Sequence, residues 1–303
     1  LGGSHAVFLP KKKQTQNRAV ICPLFKYNTR HRFLIQAKHF PAEADMDTLY
    51  LVYSVIFGAL AGSFLNVVIF RLPDENQPVV FPASHCPKCQ TKLRWFENIP
   101  ILSWLALRGR CRTCNASISP QYPVVELAMA LLSGALYRQF GPSFALVYYF
   151  LFAAALLTVI FIDLHHQIIP DKISLPGIVI GFLGSFFNHP HVTWQQSVLG
   201  LLIGGGILYS VAAGYALLTG KDGMGGGDIK LLAMIGAFLG WQSLLYIVFA
   251  SSLSGAIIGG AALLVQKKDR QTRIPFGPFL SLAALSWLFF QGGILTAWQW
   301  YVR

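Results

Sequence analysis

From residue 49 onward, charges are so sparse that about eight stretches approach the ~20 consecutive apolar residues needed to cross a bilayer. They lie near 49–70, 122–138, 143–162, 173–187, 197–218, 230–246, 248–266 and 276–297. In hydrocarbon a segment must satisfy its own backbone N–H and C=O groups, so spans of this length fold as helices. The expected fold class is an all-α polytopic membrane protein with about eight transmembrane helices. Composition agrees: 54% of the 303 residues are hydrophobic and 12% charged, against roughly 45–50% and ~25% in soluble domains. The fourth stretch is short, and the long apolar region 230–266 has only Gly240-Trp-Gln-Ser243 to divide it. Small residues four apart recur, as at Gly58/Gly62, Gly177/Gly181, Gly200/Gly204, Gly236/Gly240 and Gly255/Gly259. Such pairs let helices approach closely in lipid, and their expected role is bundle packing.

A formal net charge of +12 raises the question of a nucleic-acid partner, but the distribution of charge answers it. With the N-terminus of the first span outside, the inward segments 71–121, 163–172, 219–230 and 267–275 hold 14 of the 24 Lys and Arg residues. After residue 48 the outward side holds only Arg138 and Arg303. This asymmetry is the positive-inside pattern, so the basic excess encodes topology and no nucleic-acid partner is expected. The chain's surroundings are membrane lipid. Residues 1–45 break the pattern, with eight basic groups against Glu43 and Asp45. Because Met46 directly precedes the first span (46–70), 1–45 is expected to be an upstream or non-native extension, disordered and outside the fold.

The one sizeable polar segment, 71–121, falls between the first two spans on the inward side. It carries Cys86-Pro-Lys-Cys89 and Cys111-Arg-Thr-Cys114, two C-x2-C pairs 21 residues apart. Each pair can form a tight knuckle, and the intervening loop lets the knuckles meet around a tetrahedral Zn²⁺. A cytosolic loop lies in a reducing compartment, which disfavours disulfides. Four thiolates leave no open coordination position, so the expected metal is structural. No H-E-x-x-H occurs, which disfavours a zincin-type protease. Cys22 has no C-x2-C partner, and His189 and His191 sit in an outward Asn-His-Pro-His turn.

Three acids lie at plausible membrane depth: Glu126, Asp163 and Asp228. Ionisable residues there are expensive and mark cavities or pathways. Asp163 closes the third span in FIDLHHQIIPD (161–171), and Asp228 opens the sixth behind Gly225, Gly226 and Gly227. Counting spans puts both at the cytosolic face. Two neighbouring carboxylates share a proton, because the second charge is repelled by the first. The ionised one can then activate water while the protonated one hydrogen-bonds a scissile carbonyl, as in aspartic proteases. The glycines let backbone approach an extended substrate. Three other readings stay open: Asp228 as a plain helix N-cap, Asp163 paired with His165, His166 or Lys172, and a transporter whose acids relay protons, although no internal repeat supports the last.

The GGGD of 225–228 is similar to the G-x-G-D motif of intramembrane aspartyl proteases. GSFLNVVIFRLP (62–73), the paired cysteines, ISPQYPVVELA (118–128), FIDLHHQIIPD, GGGDIKLLA (225–233) and IPFGPFL (274–280) together resemble the type IV prepilin peptidase family from Met46 to the last span. The resemblance implies a transmembrane aspartic protease core over 122–303 in a bacterial inner membrane. It also implies cleavage of the basic leader of pilin or pseudopilin precursors after Gly, at the cytosolic face, by Asp163 and Asp228. Gly225, Gly227 and Lys230 belong to the matched motif in supporting roles. N-methylation of the new terminus with S-adenosylmethionine is implied as well, although no strand–G-x-G-x-x-G–helix pattern for a Rossmann site is present. A presenilin-like protease shares the G-x-G-D chemistry, and the cysteine loop argues against it.

Overall fold

In a computed structural model the chain divides into Leu1–Asp45 and Met46–Arg303. The structure describes residues 41–74, 78, 84–188, 191–220, 225–266 and 275–302. The expectation for 1–45 therefore falls, but for the start of the first helix, outside the described residues, as do Cys22 and His189.

All eight apolar stretches are helical. The helices are α1 (Pro41–Arg71), α2 (Leu102–Ala106, in the polar loop), α3 (Gln121–Phe140), α4 (Phe144–His166), α5 (Asp171–Ser185), α6 (Trp194–Thr219), α7 (Gly226–Leu239), α8 (Leu244–Gln266) and α9 (Gly277–Val302). Among the described residues, five stretches are long and apolar enough to cross a membrane: Met46–Arg71 of α1, α4, α6, Trp241–Ala261 reaching into α8, and Gly277–Ala297 of α9. The other three expected spans fold as the 20-residue α3, the 15-residue α5 and the 14-residue α7. The expected 230–246 span is corrected. Its helix stops at Leu239, where Gly240 turns to φ 79° and hands over to a short 3-10 turn at Trp241–Ser243.

The shortness of α7 has a physical reason. Every residue from Leu231 to Leu239 is buried, so α7 is walled by protein and need not match the thickness of hydrocarbon. A helix apolar all round belongs in such an interior. It packs against α6 where Gly200 and Gly236 face each other, each leaving no room for a Cβ on the other, and against α5 where Gly177 and Gly181 receive Met234 and Phe238. Phe238 stacks on Phe152 of α4 with ring centroids 4.5 Å apart. On the other side of the bundle, Gly58 and Gly62 of α1 lie against Ser133 and Glu126 of α3. Of the membrane-length helices α4 is the most enclosed, with 61% of its most apolar window buried against 11% for α6. The two innermost helices, α4 and α7, each carry one of the sequence-expected acids near an end.

Candidate active site

Asp163 sits in the last turn of α4, which Gln167 closes in the left-handed conformation (φ 54°). Its side chain is 5% exposed, and Oδ2 accepts a 2.9 Å hydrogen bond from the backbone N–H of Gly277, the first residue of α9. The contact gives a partner to one of the backbone N–H groups that a helix leaves unpaired in its first turn. Gly277 is a glycine for steric reasons: a Cβ there would lie 2.7 Å from Oδ2 and 3.2 Å from Cγ of Asp163. His165 turns back on its own helix, with Nδ1 2.7 Å from the Phe161 carbonyl.

Asp228 lies in the first turn of α7, whose N-cap is Gly225. The plain N-cap reading of Asp228 is thereby corrected: the helix begins two residues earlier, at Gly226. Gly227 is pressed against the loop that follows α4, since a Cβ on it would come within 2.9 Å of Ile169 Cβ. Ile169 also reaches Gly277, where an added Cβ would meet its Cδ1 at 3.3 Å. One side chain from FIDLHHQIIPD thus lies between the glycine that contacts Asp163 and the glycine that precedes Asp228. Ile169 links the surroundings of two acids that lie 65 positions apart in the chain. Gly225 is less crowded, its nearest neighbour for a Cβ being Asp228 Oδ2 at 3.9 Å.

Lys230 Nζ bonds both carboxylate oxygens of Asp171, at 2.7 and 2.8 Å. This joins the second turn of α7 to the first residue of α5. The pair is well exposed, 39% and 54%, so its contribution to stability is about 0–1 kcal/mol. Its effect is to fix how the N-terminus of α7 sits against the segment after Asp163.

The four loop cysteines converge. Cys86-x2-Cys89 and Cys111-x2-Cys114 fold into two knuckles of the same design. The Cys86 N–H bonds Thr91 O and the Gln90 N–H bonds Cys86 O; the Cys111 N–H bonds Ala116 O and the Asn115 N–H bonds Cys111 O. Gln90 and Asn115 both take positive φ, 55° and 56°. All four Sγ atoms lie within 4.8 Å of one another, with Cys86–Cys114 at 3.8 Å and Cys89–Cys111 at 3.9 Å. Tetrahedral zinc with Zn–S bonds of about 2.3 Å requires S···S distances of about 3.8 Å, so the donor set fits a metal ion of that kind. Hydrogen bonds from Thr91 hold the Cys89 thiol down to about 6, while burial and the three neighbouring cysteines push Cys114 up to about 11, so in the absence of a cation the cluster does not carry four thiolates together. A bound metal is what would hold the two knuckles together, so removing it would free them to separate. Chelation is therefore expected to speed tryptic cleavage at Lys88, Lys92, Arg108 and Arg110 at least about tenfold, with the helical core left intact. Digestion before and after chelator, read by mass spectrometry, checks this.

Glu126 is buried (7% exposed) and stands apart from the pair. Its Oε2 accepts a 2.6 Å hydrogen bond from the N–H of Ile101, a β-branched residue held at φ 62° just before α2. The bond ties the polar loop to α3. Between the loop and the ends of α1, α3 and α4 lies a cavity of about 840 Å³, whose walls include Asn66, Trp104, Tyr122, Glu126, His165 and His166.

Comparison with known proteins places these features. Residues 56–140 match the model of the bacterial peptidase A24 N-terminal domain, and residues 150–260 that of the type IV leader peptidase family. A prepilin leader peptidase/N-methyltransferase of Stutzerimonas stutzeri is 41% identical over 267 residues, covering 78% of this chain and 91% of that protein. The chain belongs to the type IV leader peptidase family. Similarly named proteins of Aeromonas hydrophila and Pseudomonas aeruginosa are each 40% identical, over 82% and 78% of this chain and 93% and 90% of their own. No solved structure matches the chain. Within this leader peptidase, both acids fall in the second matched segment and all four cysteines in the first. Gly277 lies beyond either. Within IPFGPFL (274–280) no residue pattern marks Gly277 as the partner of Asp163. The signal was a Gly-Pro at the mouth of an apolar run, which reads equally well as an ordinary helix start.

Proposed function

We propose that the chain is a prepilin peptidase at the cytosolic face of a bacterial inner membrane. Asp163 and Asp228 hydrolyse the peptide bond that joins a short basic leader, ending in Gly, to the apolar helix of a pilin or pseudopilin precursor. What supports this reading is a shared neighbour: Gly277, whose N–H bonds Asp163, and Gly227, which precedes Asp228, both pack against Ile169. The precursor's apolar segment lies in the bilayer beside the bundle, which leaves its junction at the helix ends where both acids sit. The ionised carboxylate takes a proton from water as the water oxygen attacks the scissile carbonyl, and the protonated one hydrogen-bonds that carbonyl. When the C–N bond breaks, a proton passes to the departing amine. Gly225 and Gly227 leave the approach beside Asp228 free of side chains. Lys230, through Asp171, keeps α7 in register with the segment after Asp163.

The four cysteines hold a structural zinc that shapes the loop. The released amine is then methylated, S-adenosylmethionine supplying an electrophilic methyl group on a sulfonium. Mass spectrometry of a pilin precursor incubated with the purified chain and S-adenosylmethionine tests the whole reading. The expected products are a leader ending in Gly and a mature chain heavier by one methyl group. An intact precursor, together with cleavage of an unrelated signal peptide, would instead favour a presenilin-like protease.

A further inference from the structure

We propose that Ile169 is a positioning residue for the acid pair, a rigid spacer whose width sets the distance between the Asp163 and Asp228 carboxyls. This rests on the reading of those two acids as the hydrolytic pair. The hydrolysis itself gives Ile169 no part, because its side chain is a hydrocarbon with nothing to donate or accept. Its influence has to come from shape.

The spacer is stiff at its base. Ile169 stands in the four-residue link between α4 and α5, packed against the main core, and the backbone on both sides of it is tied down. On one side the Gln167 N–H closes α4 on the Asp163 carbonyl at 2.9 Å. On the other, the Pro170 carbonyl accepts from Ile173 N–H at 3.0 Å, from Ser174 N–H at 3.2 Å and from Ser174 Oγ at 3.3 Å. A residue before proline is biased to extended backbone, and a β-branched side chain is restricted at χ1. Few ways remain for Ile169 to turn aside.

Both of its contacts at the site are with bare backbone. The Cβ and Cγ1 of Ile169 face Gly227 of α7, where an added Cβ would lie 2.9 and 3.5 Å from them. The Cδ1 faces Gly277 of α9, 3.3 Å from a Cβ built there. A side chain on either helix could rotate away from a wider neighbour, and a glycine cannot. The width of Ile169 is therefore passed directly to the spacing of two helix N-termini. One of these is followed at once by Asp228, and the other holds the Asp163 carboxyl through the Gly277 N–H. The pair Lys230 and Asp171 spans the same joint, but both partners are well exposed, and a flexible lysine stem yields where a packed methyl does not.

Two carboxyls that grip one water must both reach it, and a displacement of about 1 Å can cost about 100-fold in rate. Spacing also has a signature of its own. The closer two carboxyls stand, the more the first charge opposes the second, and the wider the pH range over which the pair holds a single proton. The bell-shaped pH dependence of kcat/KM reports that range. A narrower spacer should broaden the bell, and a wider one should narrow it. Loss of packing alone lowers the rate and leaves the shape of the bell unchanged.

The test uses the full chain in detergent with its metal and a synthetic pilin precursor, and reads kcat, KM and the pH profile of each variant. Ile169→Val removes only the methyl that reaches Gly277, and Ile169→Phe widens the side chain. We expect kcat to fall about 3- to 10-fold for the first and about 10- to 100-fold for the second, with KM within about twofold of wild type, since the acids and not the substrate contacts are displaced. The bell should broaden by at least about 0.3 pH unit in Ile169→Val and narrow by as much in Ile169→Phe. The other titratable groups of the elements around the pair are His165 and His166 on α4, Asp171 and Lys172 on α5, Tyr209 and Tyr215 on α6 and Lys230 on α7, and every variant keeps them. Ile168→Val, at a neighbour 45% exposed, is the control and should match wild type. Ile169→Val carries the test if the larger change does not fold. A bell unmoved or moved the other way in the folded variants, or rates within about twofold of wild type, would overturn the spacer role. Asp163→Asn and Asp228→Asn are run alongside. If they cleave, the hydrolytic reading fails and this inference with it; if they are inert while the Ile169 variants behave as wild type, the acids stand and only the spacer falls.

Discussion

Asp163→Asn and Asp228→Asn are each expected to lower precursor cleavage at least about 1,000-fold, within the range set by losing general acid–base chemistry. The double variant should be no worse than either single one. An amide is nearly isosteric with the carboxyl, and Asn at 163 can still accept the Gly277 N–H that Asp163 Oδ2 accepts at 2.9 Å. The fold and the cysteine loop should therefore survive, and what is lost is the ability to hold and hand over a proton. Groups that act as a unit give non-additive losses. Cleavage of a synthetic precursor in detergent, with metal content measured on the same samples, checks all three variants. Either single variant retaining a tenth of wild-type turnover would remove the pair from the mechanism.

Gly277→Ala is expected to cost about 10- to 150-fold in kcat/KM, corresponding to about 1.5–3 kcal/mol for a hydrogen bond to a charged group. Its Cβ would enter the space of the Asp163 carboxyl, 2.7 Å from Oδ2. Asp163 is 5% exposed, so its side chain has little room to move aside without losing the α9 N–H. Gly277→Val adds branched bulk near Ile169 Cδ1 as well, and a further loss is expected. Gly293→Ala in the same helix, where a Cβ meets nothing within 4 Å, serves as the control and should cleave normally. Steady-state kinetics on membranes with matched protein levels gives the comparison. Gly277→Ala within about threefold of wild type would show that the N–H contact does not matter to cleavage.

Much of the site was legible as spelling. The C-x2-C spacing announced a four-thiolate cluster because knuckles are local: each is closed by hydrogen bonds between residues at most five apart. The acids were legible because a charge beside a long apolar run is conspicuous. Span existence was legible too, since length and apolarity are properties of a segment alone. The failures were of another kind. The end of the sixth stretch was set seven residues too far on because apolar residues continue past Gly240, and only the turn there shows the break. The alternative of Asp228 as a plain N-cap stayed open because Gly225 and Gly226 look like a flexible turn until α7 is seen to start among them. Glu126 was noticed as an acid at depth, but its partner, Ile101 N–H, is 25 residues away across the loop.

By itself the sequence determined that the chain is a bundle of membrane helices with a thiolate-bearing loop and two acids at helix ends, because hydropathy, ligand spacing and charge are written residue by residue. Which helices lie inside was decided only by the tertiary structure. In a bilayer both the lipid-facing and the protein-facing sides of a helix are apolar, so no periodicity separates the buried α7 from the exposed α6. For the same reason only packing could bring Gly277, 114 residues from Asp163, to the one place where a backbone N–H and a missing Cβ hold that carboxylate.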